Sequence, residues 1–166
     1  MRKVVLFLLC LIAVDGRAQK SLEALLATLN SESIPYVTVD SLDGWIKKGE
    51  VLLLDSRERK EFDVSHIPGA LYVGYRDFKI EQIEAAVKAW PGAVVVYCSL
   101  GVRSEDIAEK LTTVRKDGLY NLYGGIFEWV NTGHSIEDSH GGKTSKVHAY
   151  NRLWGVWLNK GDKIYE

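Results

Sequence analysis

At 166 residues, with 46% hydrophobic and 26% charged side chains, the chain can build one domain with a packed core and has no case for two. Its formal charge is −1; setting aside the first 18 positions, which hold Arg2, Lys3 and Arg17 against Asp15, leaves 18 basic and 21 acidic residues. That balance excludes nucleic acid and an anionic membrane surface as electrostatic partners, and cysteines at only positions 10 and 98 exclude a disulfide framework.

The chain opens with Arg2-Lys3, an apolar run from Val4 to Val14, and Asp15-Gly16-Arg17-Ala18. A basic start, a short apolar core and small residues before a cut after Ala18 predict a secretory signal peptide over 1–18 and an exported protein, periplasmic or secreted. A membrane anchor is the competing reading, but a hydrocarbon core needs roughly 20 apolar residues. Cys10 lies inside the apolar run rather than after a small residue, which argues against lipid attachment there. Cleavage leaves Cys98 as the sole thiol of the mature chain.

Leu22, Leu25, Leu26 and Leu29 recur at helical spacing, so 19–34 reads as an N-terminal helix and linker. Tyr36 to Val39 alternates like a strand, and Asp40 is a candidate cap for a helix carrying Leu42, Trp45 and Ile46 and ending at Gly49. Val51 to Leu54 is a short continuous apolar run, the pattern of a central parallel strand, with Asp55 and Arg57 at its carboxyl end. Those two suit an ion pair that organises loops better than direct substrate contact. His66-Ile67-Pro68-Gly69-Ala70 is a turn into a strand over 70–73. Ile80, Ile83, Ala86, Val87 and Trp90 mark a helix stopped by Pro91-Gly92, and Val94 to Tyr97 is the next buried strand.

Cys98 follows that strand directly, and Ile107, Ala108 and Leu111 place a helix from about Ser104. A tight loop feeding a helix N-terminus gathers unpaired N–H groups and the positive end of the helix dipole. A thiolate in that concavity, with Arg103 nearby, is a reactive nucleophile; the competing reading is an inert buried cysteine. Beyond the helix come a strand over 119–122, a Gly124-Gly125 turn, a helix over 126–130 whose Trp129 reads as core, a polar loop over 135–146, and Trp154 to Tyr165, which resembles a hairpin. No internal repeat is present. His134, His140 and His148 lack ligand spacing and partner cysteines, so they read as surface or structural histidines with no metal. Alternating β and α segments predict an α/β fold, a central parallel sheet flanked by helices in three layers.

Cys98-Ser99-Leu100-Gly101-Val102-Arg103-Ser104 resembles the active-site loop of the rhodanese (sulfurtransferase) family. Leu54-Asp55-Ser56-Arg57, Glu61-Phe62, His66 to Ala70, and Asn121 to Gly125 with Trp129 match that family in the same order. The resemblance implies a rhodanese-like domain over 35–133, with 134–166 as a C-terminal loop and hairpin outside the minimal pattern. It implies that Cys98 takes a sulfane sulfur from thiosulfate or a persulfide and passes it to cyanide, a small thiol or a protein thiol, without a cofactor. The loop Ser99, Leu100, Gly101, Val102, Arg103 and Ser104 would bind the anion through its N–H groups, Arg103 would attract the donor, and Gly101 would permit the tight turn. His66 is a candidate general base, although the resemblance favours a scaffold role for it.

Two other functions share this loop. Phosphatases and arsenate reductases of the same fold carry five residues between Cys and Arg, where this chain has four, Ser99 to Val102. A non-catalytic binding module or thiol carrier is the alternative of another class, and retention of both Cys98 and Arg103 argues against it.

Overall fold

The computed structural model describes residues 22–165, so the expected signal peptide lies outside the described residues. The chain divides into a segment ending at Ser31 and a body from Glu32 onward. The first contains a helix, α1, over 22–29, closed by the Asn30 N–H donating to the Leu26 carbonyl at 2.8 Å.

In the body, β1 (Tyr36–Val37), β2 (Val51–Asp55), β3 (Leu71–Tyr72), β4 (Ala93–Tyr97) and β5 (Leu119–Leu122) form one sheet in the order β1-β5-β4-β2-β3. Every pairing in it is parallel. Val94, Val95 and Val96 of the middle strand β4 are completely buried, as a strand covered on both faces must be. Each such side chain contributes about 1.5–3 kcal/mol on burial. One core cluster joins Leu52, Leu54, Val94 and Val96 to Val87 of α4 (Glu84–Ala89) and to Ile107 and Leu111 of α5 (Arg103–Leu111).

The topology places the site. From β2 the chain moves to β3 on one side, and from β4 it moves to β5 on the other. The loops after Asp55 and after Tyr97 therefore diverge, and the register that sets Asp55 beside Tyr97 puts both strand tips at that crevice. Ligand sites of open α/β sheets form at such reversals.

Four local expectations are corrected. The helix α2 (Val39–Lys48) is capped by Thr38, whose hydroxyl accepts the Ser41 N–H at 3.3 Å, so Asp40 lies inside its first turn instead of capping it. The polar stretch 135–146 is not all loop. Its Asp138 carboxylate accepts the N–H groups of His140 and Gly142, both at 2.9 Å, and the turn so formed closes an antiparallel pair, β6 (Ile136–Glu137) with β7 (Lys143–Thr144). Nor is the tail a hairpin. Asn151 caps a turn by accepting from the Trp154 and Gly155 amides, a 3-10 turn follows at Gly155–Trp157, and β9 (Asp162–Ile164) pairs in parallel with β8 (Lys146–His148). The segments on either side of Asn159-Lys160-Gly161-Asp162 resemble the two arms of a hairpin, but side-chain capping at Asn151 winds the Trp154 side into turns. The expected helix over 80–90 likewise splits into a 3-10 turn, Ile80–Gln82, and α4, because Ile83 leaves helical geometry at φ −124°.

Candidate active site

Cys98 is the first residue beyond β4, and its side chain is almost wholly buried within the loop that leads to α5. The Gly101 N–H donates to Cys98 Sγ at 3.2 Å, and the Ser104 hydroxyl lies 3.5 Å from the same sulfur. Gly101 reaches that position at φ 111°, in the left-handed region, with Leu122 O only 3.3 Å from where a Cβ would stand. Asn121 of β5 secures the geometry: it donates to the Gly101 carbonyl at 2.7 Å and accepts from the Ser104 hydroxyl at 2.7 Å.

The loop is also held from α6 (Gly125–Asn131). The N–H groups of Ile126 and Phe127 donate to the carbonyls of Cys98 and Ser99 at 2.9 and 3.2 Å, so the loop caps the orphan donors at the start of that helix. The approach is close enough that a Cβ on Gly125 would stand 2.4 Å from Cys98 O, and Gly125 itself is at φ 54°. Backbone contact of that kind is open to glycine alone.

Arg103 opens α5, and its guanidinium is committed. Nη1 and Nη2 donate to the two Glu61 carboxylate oxygens at 2.7 and 2.8 Å, and Nη2 donates also to Ser99 Oγ at 3.0 Å. Glu61 stands in α3 (Arg59–Val64), which is brought over the loop with its carboxylate buried. Burial works against the Glu61 charge, but the hydrogen bonds and charge of Arg103, with Arg57 beyond, hold its carboxyl below the usual range. Burial likewise opposes the Arg103 charge and is outweighed by Glu61 and the Cys98 sulfur, so the guanidinium is held above its ordinary value. Tyr75 lies alongside, 6.0 Å from Arg103 Cζ, and its hydroxyl donates to Asp106 at 2.6 Å; that bond, with burial and the Asp106 charge, pushes the phenol up to about 12.

The family model for the rhodanese-like domain matches residues 38–132, more than half of the chain, and spans all the loop residues just described. The chain belongs to the rhodanese-like domain family. It is 30% identical over 96 residues to the thiosulfate sulfurtransferase GlpE of Coxiella burnetii, covering 57% of this chain and 87% of that protein. It is also 30% identical over 101 residues to a tRNA uridine(34) hydroxylase of Hamiltonella defensa, covering 58% of this chain and 28% of that protein. Among solved structures, the rhodanese-like domain of an Anabaena protein superposes with a TM-score of 0.55 at 20% identity, over 63% of this chain and 79% of that one. The three-layer fold expected from the sequence is the family's fold.

Within this rhodanese-like domain the sequence-predicted residues separate into two groups. Cys98, Ser99, Gly101, Arg103 and Ser104 converge on the sulfur or on one another. Leu100 is buried and Val102 half-buried, so whatever they offer a ligand is backbone. Asp55 and Arg57 form a wholly buried pair: Arg57 Nε donates to both carboxylate oxygens at 3.0 and 3.1 Å, and Nη2 donates to Asp55 Oδ2 at 2.7 Å and to the Ser65 carbonyl at 2.6 Å. They brace loops at the strand tips. His66 donates to the Phe62 carbonyl at 3.1 Å, stacks on the Phe62 ring at 3.9 Å and exchanges backbone bonds with Glu137. Both ring nitrogens face this scaffold, Nε2 lying 3.5 Å from the Glu137 carboxylate, so His66 is no base for Cys98.

Arg103 is not the free cation the sequence suggested, because Glu61 balances it. In sequence Glu61 and Asn121 are matches to the family pattern with no role of their own. A carboxylate opening a helix three residues after Glu58 reads as a capping feature, and one polar residue in the apolar strand 119–122 was the available signal for a buried tether. Among the described residues no cluster of His, Cys, Asp or Glu has the makings of a metal site, and no helix is long and apolar enough to cross a membrane.

His148 is fully buried, which the sequence placed at the surface or in a structural role. It accepts the Tyr150 N–H through Nδ1 at 3.1 Å, and burial holds it below its ordinary value. The folded chain therefore binds fewer protons than the unfolded chain just below pH ~6.5, and stability rises with pH across that window and is lost as pH falls through it. We expect the urea midpoint to drop between about pH 7.5 and 5.5, and His148→Gln to flatten the drop, since Gln does not titrate there. An equal slope in the variant would remove His148 as the cause.

Proposed function

We propose that this rhodanese-like domain is a sulfurtransferase working through a persulfide on Cys98. The observation that carries the reading is the sulfur's position at the tip of β4, facing the Gly101 N–H at 3.2 Å and the Ser104 hydroxyl at 3.5 Å. The 30% identity to a thiosulfate sulfurtransferase over nearly that protein's full length supports it.

The Cys98 thiolate attacks the outer sulfur of thiosulfate. A bond forms between Sγ and that sulfur, the S–S bond within thiosulfate breaks, and sulfite leaves with the bonding pair. The charge now rests on the terminal sulfur, where donors fixed in advance cost no reorganisation. Cyanide or a thiolate then attacks that terminal sulfur, and the Sγ–S pair returns to Cys98 as thiolate. No proton and no external oxidant is required.

Arg103 argues against the phosphatase reading. A phosphate-binding arginine presents its fork to the ligand, whereas here the fork closes on Glu61. We also take residues 1–18 to direct export, on their basic start and apolar run.

Intact mass spectrometry after incubation with thiosulfate, with peptide mapping, tests the covalent step. A gain of one sulfur mass on the Cys98 peptide, discharged by cyanide as thiocyanate, is expected. A thiol that reacts with an alkylating reagent yet gains no sulfur from thiosulfate or from an organic persulfide would instead favour the binding-module reading.

A further inference from the structure

One side chain of the C-terminal extension, outside the 38–132 match, returns to the active loop. The Tyr150 ring centroid lies 4.5 Å from Arg103 Cζ, so the guanidinium is bracketed by the Glu61 carboxylate and by the rings of Tyr150 and Tyr75. An anionic donor approaching Cys98 therefore meets a neutralised, aromatic-covered pair in place of an open cation. For Arg103 to turn its fork outward, it must leave a carboxylate buried without its partner and displace the ring.

Tyr150 is not a loose side chain. Its backbone stands at φ 64°, a left-handed conformation costly for a residue of this size. That conformation is held by its own N–H on His148 Nδ1 at 3.1 Å, by the Ala149 N–H on the Ile164 carbonyl at 2.7 Å, and by the Asn151 N–H on the Ala149 carbonyl at 2.8 Å. The Trp154 ring meets its edge at 5.7 Å. Yet Tyr150 remains 37% exposed, so core burial does not account for the strain, and the conformation sets its ring against Arg103.

Building on the sulfur-transfer reading above, we propose that Tyr150 is a positioning residue that sets donor selectivity: by keeping Arg103 on Glu61 it turns the Cys98 site toward singly charged organic persulfides and away from the thiosulfate dianion. In that reaction the terminal sulfur of R–S–S− forms a bond to Cys98 Sγ, its bond to the R-bearing sulfur breaks, and R–S− leaves with the pair. Charge and sulfur oxidation state balance without a further reactant.

The test compares wild type, Tyr150→Leu and Tyr150→Phe with two pairs of probes. One pair is thiosulfate and a small organic persulfide, read as separate KM and kcat. The other is iodoacetate and iodoacetamide, read as the ratio of Cys98 alkylation rates, which needs no sulfur transfer. In Tyr150→Leu the guanidinium loses its aromatic cover. We expect thiosulfate KM to fall about tenfold, kcat and both persulfide constants to hold, and the iodoacetate-to-iodoacetamide ratio to rise by a similar factor. Tyr150→Phe keeps the ring and should match wild type in both comparisons, which a role in folding alone would not produce. Unchanged ratios in a folded Tyr150→Leu protein would overturn the proposal. If the wild type takes sulfur from neither donor, the donor assignment falls with the sulfur-transfer reading, while a shifted alkylation ratio would still establish Tyr150's control of anion access.

Discussion

Cys98→Ser should abolish sulfur transfer while leaving the fold in place. The serine hydroxyl can still accept the Gly101 N–H that now reaches Sγ, and the bonds from α6 to the loop carbonyls do not involve the side chain. Stability should therefore change by about 1 kcal/mol or less. Chemistry is another matter. A hydroxyl is not ionised at neutral pH and cannot carry the transferred sulfur, so thiocyanate formation should drop by roughly 10³-fold or more, the scale seen when a covalent nucleophile is removed. Turnover that survived the substitution would mean direct passage of sulfur from donor to acceptor, and the persulfide would have to be abandoned. The informative pair of measurements is thiocyanate release and a urea melt on the same preparation.

The second large effect is one of stability. In Asp55→Ala the Arg57 guanidinium, with no exposure to solvent, loses three of its side-chain hydrogen bonds and its counter-charge. Burial already opposes that charge, and Asp55 is what holds the guanidinium above its ordinary value. Breaking a buried pair on one side costs about 3–5 kcal/mol, against a total stability of about 5–15 kcal/mol for a domain. We expect a sharply lowered urea midpoint. The double replacement Asp55→Leu with Arg57→Met, which removes both charges, should recover much of the loss, because an apolar pair of similar volume is often as stable. A double variant no better than the single one would place the cost in packing and not in the stranded charge.

Cys98 and Asp55 were both legible locally, whereas other parts of the site were not. The Cys98 loop could be read from its own neighbourhood: β-branched residues before it, helical spacing after it, and a glycine where the chain turns at φ 111°. The Asp55 and Arg57 pair was legible for the same reason, being two residues apart at the end of an apolar run. Arg103 looks from its neighbourhood like a donor-attracting cation, because its counter-charge, Glu61, is 42 residues away in sequence and meets it only when α3 folds over the loop. Asn121, which donates to Gly101 O from 20 residues downstream, is hidden in the same way. Tyr150 lies 47 positions beyond Arg103, in the C-terminal extension that the sequence reads as a loop and hairpin.

The sequence by itself determined the alternation of β and α segments up to residue 130, the parallel sheet, the candidate cysteine loop and the family, because each depends on periodicity, turn chemistry or a contiguous motif within a few residues. Only the tertiary structure decided which charge is free and which is balanced, which polar side chains tether the loop, and which part of the tail covers it. Those are contacts between residues distant in the chain. Their energies depend on burial and on sub-ångström placement, which no local pattern of residues encodes.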